Sequence, residues 1–161
     1  MLEATTLGRA TMTVGYKILI VDEEDNVRST LEMIFQRNGY SVLVASNGLE
    51  ARDLLKTHDC DLVLMDLKTP NGGLRLLREI RDQYTHLPVL ILTGNSSIDI
   101  AAEAIRIGAR DYLLKPVDPW GITSRVDQIR IDQQNSKRRR EIMAELQKLL
   151  QELNHSMEGC L

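Results

Sequence analysis

The chain has 161 residues, 43% hydrophobic and 27% charged, with a formal net charge of −3. That is one ordinary domain with an appendage, too short for two full domains, and its charge gives no general reason to bind a polyanion. Cys60 and Cys160 form no C-x-x-C pair, His58, His86 and His155 show no ligand spacing, and no segment approaches the ~20 apolar residues of a membrane span. A disulfide framework and a zinc site are therefore not indicated, and the expected location is cytoplasmic.

Residues 1–15, rich in Thr, Ala and Gly, read as a flexible N-terminal arm, with Met12 as an alternative start. Strands are then predicted at Lys17–Val21, Ser41–Ala45, Asp61–Met65, Pro88–Leu92 and Asp111–Leu114. Their nearly unbroken Ile, Leu and Val content calls for burial on both faces, as in a parallel sheet between helical layers. Helical spacing intervenes each time. Val27, Leu31, Ile34 and Phe35 stop at Asn38-Gly39; Leu49, Leu54 and Leu55 follow a cap at Asn47 with Glu50 three residues on. Leu74, Leu77 and Ile80 mark a third helix, and Ile98, Ala101, Ala104 and Ile105 a fourth ending at Gly108. Asp118 caps a fifth with Pro119 in its first turn. Such alternation predicts an α/β fold: a doubly wound five-stranded parallel sheet, order 2-1-3-4-5, flanked by five helices.

After the fifth helix comes polar Asp132 to Ser136, then the basic run Lys137 to Arg140, then Ile142, Leu146, Leu149 and Leu153. The last four step by four, three and four residues, a seam of under two heptads. Val126 and Ile129 lie in another phase, so a kink, stutter or frayed segment is expected near the basic run. The predicted organisation is an arm (1–15), a domain (16–132) and an amphipathic helical tail (133–161), the tail serving as a short coiled coil, a truncated linker or a helix folded back on its own domain.

In a doubly wound sheet the carboxyl ends of the strands share one edge, where ligands bind. The first strand delivers Asp22 and Glu23 there, the third Asp66, the fourth Thr93 and the fifth Lys115. Clustered carboxylates repel unless a cation joins them, and oxygen ligands of this kind suit Mg²⁺. Each residue taken singly has a structural explanation: acids at a helix start, a turn aspartate, a solvated lysine, a strand-end hydroxyl. Their joint arrival at separate strand ends argues for chemistry.

Val21-Asp22-Glu23, Asp66 with Pro70, Leu92-Thr93-Gly94 and Tyr112-Leu113-Leu114-Lys115-Pro116 together resemble the receiver domain of two-component response regulators. The resemblance implies that Asp66 accepts phosphate from a histidine kinase or phosphotransfer protein, with Thr93 and Lys115 assisting. It implies Mg²⁺, or Mn²⁺, held by Asp22, Glu23, Asp66 and the Lys68 carbonyl, a Thr93/Tyr112 switch, and a cis peptide before Pro116. Lys68 and Asn95 occupy positions that tune phosphoryl lifetime in that family. It departs from the family in having Glu23 as second acid, Thr69 before Pro70, and one residue fewer between Asp66 and Gly73-Leu74. Output is expected through protein contacts, including a homodimer by the face of the fourth helix, fifth strand and fifth helix or by the tail, with neither nucleic acid nor membrane as partner. The alternatives are a phosphorylation-independent dimer or scaffold and, less favoured, an Mg²⁺-dependent aspartyl phosphatase, which needs an acid two residues after the nucleophile where this chain has Lys68.

Overall fold

The computed structural model describes residues 15–94 and 98–160; the arm expected over residues 1–15 lies outside them up to residue 14, as does Asn95. Five parallel strands run in the order β2-β1-β3-β4-β5, namely β1 (Lys17–Val21), β2 (Ser41–Ala45), β3 (Leu62–Asp66), β4 (Val89–Thr93) and β5 (Asp111–Leu114). The helices are α1 (Asp25–Arg37), α2 (Gly48–Thr57), α3 (Gly73–Gln83), α4 (Ile98–Ile107) and α5 (Pro119–Glu158). Two strands sit one residue later than their apolar runs predict. Asp66 and Thr93 are themselves ladder residues, paired with Leu92 and Leu114, because backbone pairing extends past the last apolar side chain.

Alternation sorts the strand residues onto two faces. Leu19, Val21, Val63, Met65, Val89 and Ile91 share a buried cluster with Ala51 and Leu55 of α2, Leu76, Leu77 and Ile80 of α3, and Ala104 of α4. The intervening residues, among them Ile18, Ile20, Leu62, Leu64, Leu90 and Leu92, are also buried, as are Leu31 and Phe35 of α1. Burying such a side chain stabilises the fold by roughly 1.5–3 kcal/mol, so the three central strands are the rigid frame of the sheet edge.

The helix ends follow the predicted chemistry. Asn47 Oδ1 accepts from the Glu50 N–H at 2.9 Å, while the Glu50 carboxylate reaches back to the Ser46 N–H at 2.9 Å; this holds the Glu50 carboxyl below its ordinary range. Asp118 Oδ2 accepts from the Gly121 N–H at 2.8 Å, and Gly39 closes α1 at φ 86°. The tail corrects one expectation. No frayed segment interrupts it, and α5 is one helix of 40 residues. Asp132 to Ser136 lack Gly and Pro, and Gln128 Nε2 donates to Asp132 at 3.0 Å, an i,i+4 pair that favours helix without an apolar face.

The chain divides into two units, Met1–Thr123 and Ser124–Leu161. In the second, Val126 and Ile129 are buried, whereas every described residue from 134 onward is exposed. Among the described residues no helix is long and apolar enough to cross a membrane, and both cysteines are free.

Helices α2 and α3 are joined by Arg52 and Glu79, with Nε to Oε2 at 2.5 Å and Nη2 to Oε1 at 3.1 Å. Hydrogen bonding from Arg52 holds the Glu79 carboxyl below its usual range. A depressed folded-state pKa contributes stability that is present above the unfolded value, near ~4.3, and is lost as pH falls through the folded value. Discounted for solvent screening, the pair contributes about 1 kcal/mol. Glu79→Gln should therefore lower Tm by roughly 3–5 °C at pH 7, and melts recorded down the pH scale should converge below about pH 4. A constant gap across that range would contradict the assignment.

Candidate phosphoacceptor site

Three strand ends build the site. Asp22 follows β1, Asp66 closes β3, and Lys115 follows β5. Asp22 and Asp66 are nearly inaccessible, at 1% and 4% exposure, and the Lys115 ammonium joins them, 2.7 Å from Oδ2 of each. Burial alone would pull the Lys115 pKa down, but the hydrogen bonds and charges of the two aspartates outweigh it and the pKa is raised. The lysine is therefore firmly a cation. The other Asp66 oxygen, Oδ1, accepts from the Lys68 N–H at 3.0 Å, so both carboxylate oxygens are fixed. The Lys115-Pro116 peptide is cis.

The remaining expected residues are placed less uniformly. Thr93 is buried at 5%, its hydroxyl donating to the Gly94 carbonyl at 3.2 Å. The Lys68 side chain is exposed, and Tyr112 is 38% exposed. Glu23 is also exposed and lies outside the acidic group. Glu24, likewise exposed, belongs to that group, offering a carboxylate oxygen within 4.8 Å of those of Asp22 and Asp66 and lying 3.6 Å from Lys115 Nζ. Sequence reasoning did not single out Glu24: the chain bends at Glu23, and no strand or helix periodicity reports which acid of a bend meets Asp22 and Asp66. Asp22 Oδ1 accepts the Glu24 N–H at 2.9 Å, and Arg28 Nη1 donates to the Asp22 carbonyl at 2.7 Å. Together these contacts fold the acidic loop over the strand end. Arg28 also pairs with Asp25.

Three hard oxygen donors with one ammonium beside them leave excess negative charge, which fits a divalent cation of the Mg²⁺ kind. The same arrangement suits an anionic group arriving at Asp66 only if that charge is balanced.

Comparison with known proteins decides the family. Residues 18–127 match the model of the response regulator receiver domain. The chain belongs to that family. It is 42% identical over 108 residues to the regulatory protein AtoC of Escherichia coli, covering 66% of this chain and 23% of that protein. It is 34% identical over 144 residues to the alginate biosynthesis transcriptional regulatory protein AlgB of Pseudomonas putida, covering 89% and 31%. A solved response regulator receiver domain protein from Clostridium thermocellum superposes with TM-score 0.69 at 31% identity, covering 74% of this chain and 97% of that one. This receiver chain thus spans less than a third of the two curated relatives.

Proposed function

We propose that this receiver domain takes a phosphoryl group onto Asp66 from a phosphohistidine of a sensor histidine kinase or phosphotransfer protein in the cytoplasm. The observation carrying the reading is the Lys115 ammonium shared at 2.7 Å by two buried aspartates at the sheet edge. An Asp66 oxygen attacks phosphorus, an O–P bond forms, and the P–N bond breaks with its electron pair returning to the imidazole. In this reading Lys115 follows the charge onto the phosphoryl oxygens, the Thr93 hydroxyl exchanges the Gly94 carbonyl for one of those oxygens, and Tyr112 turns inward as the second half of the switch. Mg²⁺, or Mn²⁺, would be held by Asp22, Asp66, the Lys68 carbonyl and an acid of the Glu23-Glu24 pair. When bound it neutralises charge between the carboxylate and the incoming group. The domain acts once per phosphoryl group and loses it by its own slow hydrolysis rather than turning over a substrate. Output runs through protein contacts, including a homodimer by the α4–β5–α5 face or by the tail, and not through nucleic acid. A receiver domain over residues 16–132 with a tail over 133–161 is the organisation this reading uses.

Incubation with Mg²⁺ and acetyl phosphate should add the mass of one phosphate, and Asp66→Asn should abolish the addition. Labelling that survives in that variant would sink the assignment. A second reading, a scaffold indifferent to phosphate, draws on the exposed stripe of Ile142, Leu146, Leu149 and Leu153, each about half accessible. Light scattering with and without a phosphoryl mimic separates the two, because only the switch predicts a change in association. A phosphatase would instead show repeated turnover of a phosphoester, which Lys68 two residues after Asp66 disfavours.

A further inference from the structure

Six residues, 67 to 72, separate Asp66 from α3, with Asn71 at φ 55° and Gly73 at φ 64°. Pro70 and Asn71 are exposed, so no apolar burial holds the loop's tip. Its polar contacts do. Thr69 is buried and directs its hydroxyl at the Val21 carbonyl from 3.4 Å, a long bond that fixes little. On the other side the Pro70 carbonyl accepts the Gly48 N–H at 2.8 Å, and the Asn71 carbonyl accepts Arg52 Nη1 at 2.6 Å. The Arg52 guanidinium cannot swing freely, because Nε and Nη2 are both taken by Glu79. A planar fork with two prongs fixed aims the third.

We propose that Arg52, oriented by Glu79, is a positioning residue for the phosphoacceptor loop: it holds the Asn71 carbonyl and so sets the backbone of residues 67–72, including the Lys68 carbonyl. The part of this inference that concerns the cation rests on the function proposed above. An ordinary surface ion pair contributes little. Here the same guanidinium also closes onto a main-chain carbonyl of the loop that carries a proposed ligand, and Arg52 retains only 22% side-chain exposure. A group hydrogen-bonded to a metal ligand is worth about tenfold or more in metal affinity; Arg52 acts three residues farther along the loop, at Asn71, so about tenfold is the upper scale of its effect.

The test uses the full chain with Arg52→Ala and Arg52→Lys. In metal-free protein, hydrogen exchange at the Gly48 and Gly72 amides, both bonded to loop carbonyls, should quicken about tenfold in Arg52→Ala while the β1 amides are unchanged. Arg52→Lys, which keeps the charge but not the fork, should fall between. The Mg²⁺ concentration for half-maximal labelling by acetyl phosphate should rise by up to about tenfold in Arg52→Ala, with the rate at saturating Mg²⁺ within about twofold of the parent. Unchanged loop exchange, or acceleration that spreads into β1, would overturn the clamp; an unchanged Mg²⁺ requirement would overturn its link to the cation. A parent protein that takes no label overturns the phosphoacceptor reading instead, and loop exchange still decides the clamp.

Discussion

Lys115→Met is expected to destabilise the metal-free protein by about 3 kcal/mol, a fall in Tm of roughly 10 °C. The substitution keeps the aliphatic stem and removes only the ammonium. What it leaves behind decides the size of the effect. Asp22 and Asp66 have side chains 2% and 5% exposed, with carboxylate oxygens inside 4.8 Å of each other. Two like charges at that separation repel by about 3–4 kcal/mol at an effective dielectric of ~20, which sets the scale of the loss. An exposed ion pair would instead cost about 0–1 kcal/mol, so the magnitude discriminates between the two descriptions. Mg²⁺ offers a second discriminant. It should raise Tm more in the variant than in the parent, because in the parent the ammonium already offsets part of the same negative charge. Phosphate labelling should fall steeply in the variant, since the phosphoryl oxygens lose their fixed cation. Denaturant melts with and without Mg²⁺ check the two stability statements, and the mass added by acetyl phosphate checks the third; a variant within 1 kcal/mol of the parent, with an equal response to Mg²⁺, would show that Lys115 is an ordinary edge lysine.

The frame of this site is legible because the strands announce themselves. Runs such as Leu62-Val63-Leu64-Met65 are fully buried, and a residue that is buried on either face leaves an apolar letter. The convergence of Asp22, Asp66 and Lys115 then follows from the sheet order, which brings residues 49 and 93 positions apart to one ammonium. Legibility ends where two neighbouring residues are chemically alike. Glu23 and Glu24 are adjacent acids at a bend, and composition carries no record of which one joins Asp22 and Asp66. It ends again with Arg52 and Glu79, 27 residues apart, each an unremarkable charge on an amphipathic helix until the packing of α2 beside α3 sets them face to face. The continuity of α5 was hidden for a related reason: apolar periodicity reports burial, and the polar stretch from Asp132 to Arg140 has none to report.

Gly48→Ala should destabilise the protein by about 2–3 kcal/mol, although helix propensity alone predicts a gain approaching 1 kcal/mol for alanine over glycine. Gly48 opens α2 beside the Asp66 loop, and a Cβ there would stand 1.6 Å from the Asn71 carbonyl oxygen, 2.2 Å from its carbon and 2.8 Å from the Gly72 nitrogen. All three are backbone atoms, so no rotamer change relieves the overlap. The loop must retreat by well over 1 Å to reach ordinary contact, and in doing so it stretches the Gly48–Pro70 bond and draws the Asn71 carbonyl off Arg52. Overpacking and lost hydrogen bonds then act in the same direction and exceed the propensity gain. Gly94→Ala is the matched control: its nearest neighbour would be Lys68 Nζ at 3.9 Å, so no comparable loss is expected there. Because the loop moves as a unit, Gly48→Ala should also raise the Mg²⁺ requirement for labelling in the manner of Arg52→Ala, through a residue that carries no charge and touches no ligand. Denaturant melts of both glycine variants, with Mg²⁺ titrations of labelling, test the chain of contact from α2 to the Asp66 loop. An alanine at 48 that stabilises the protein would mean that propensity wins and that the close approach of α2 to Asn71 is absent.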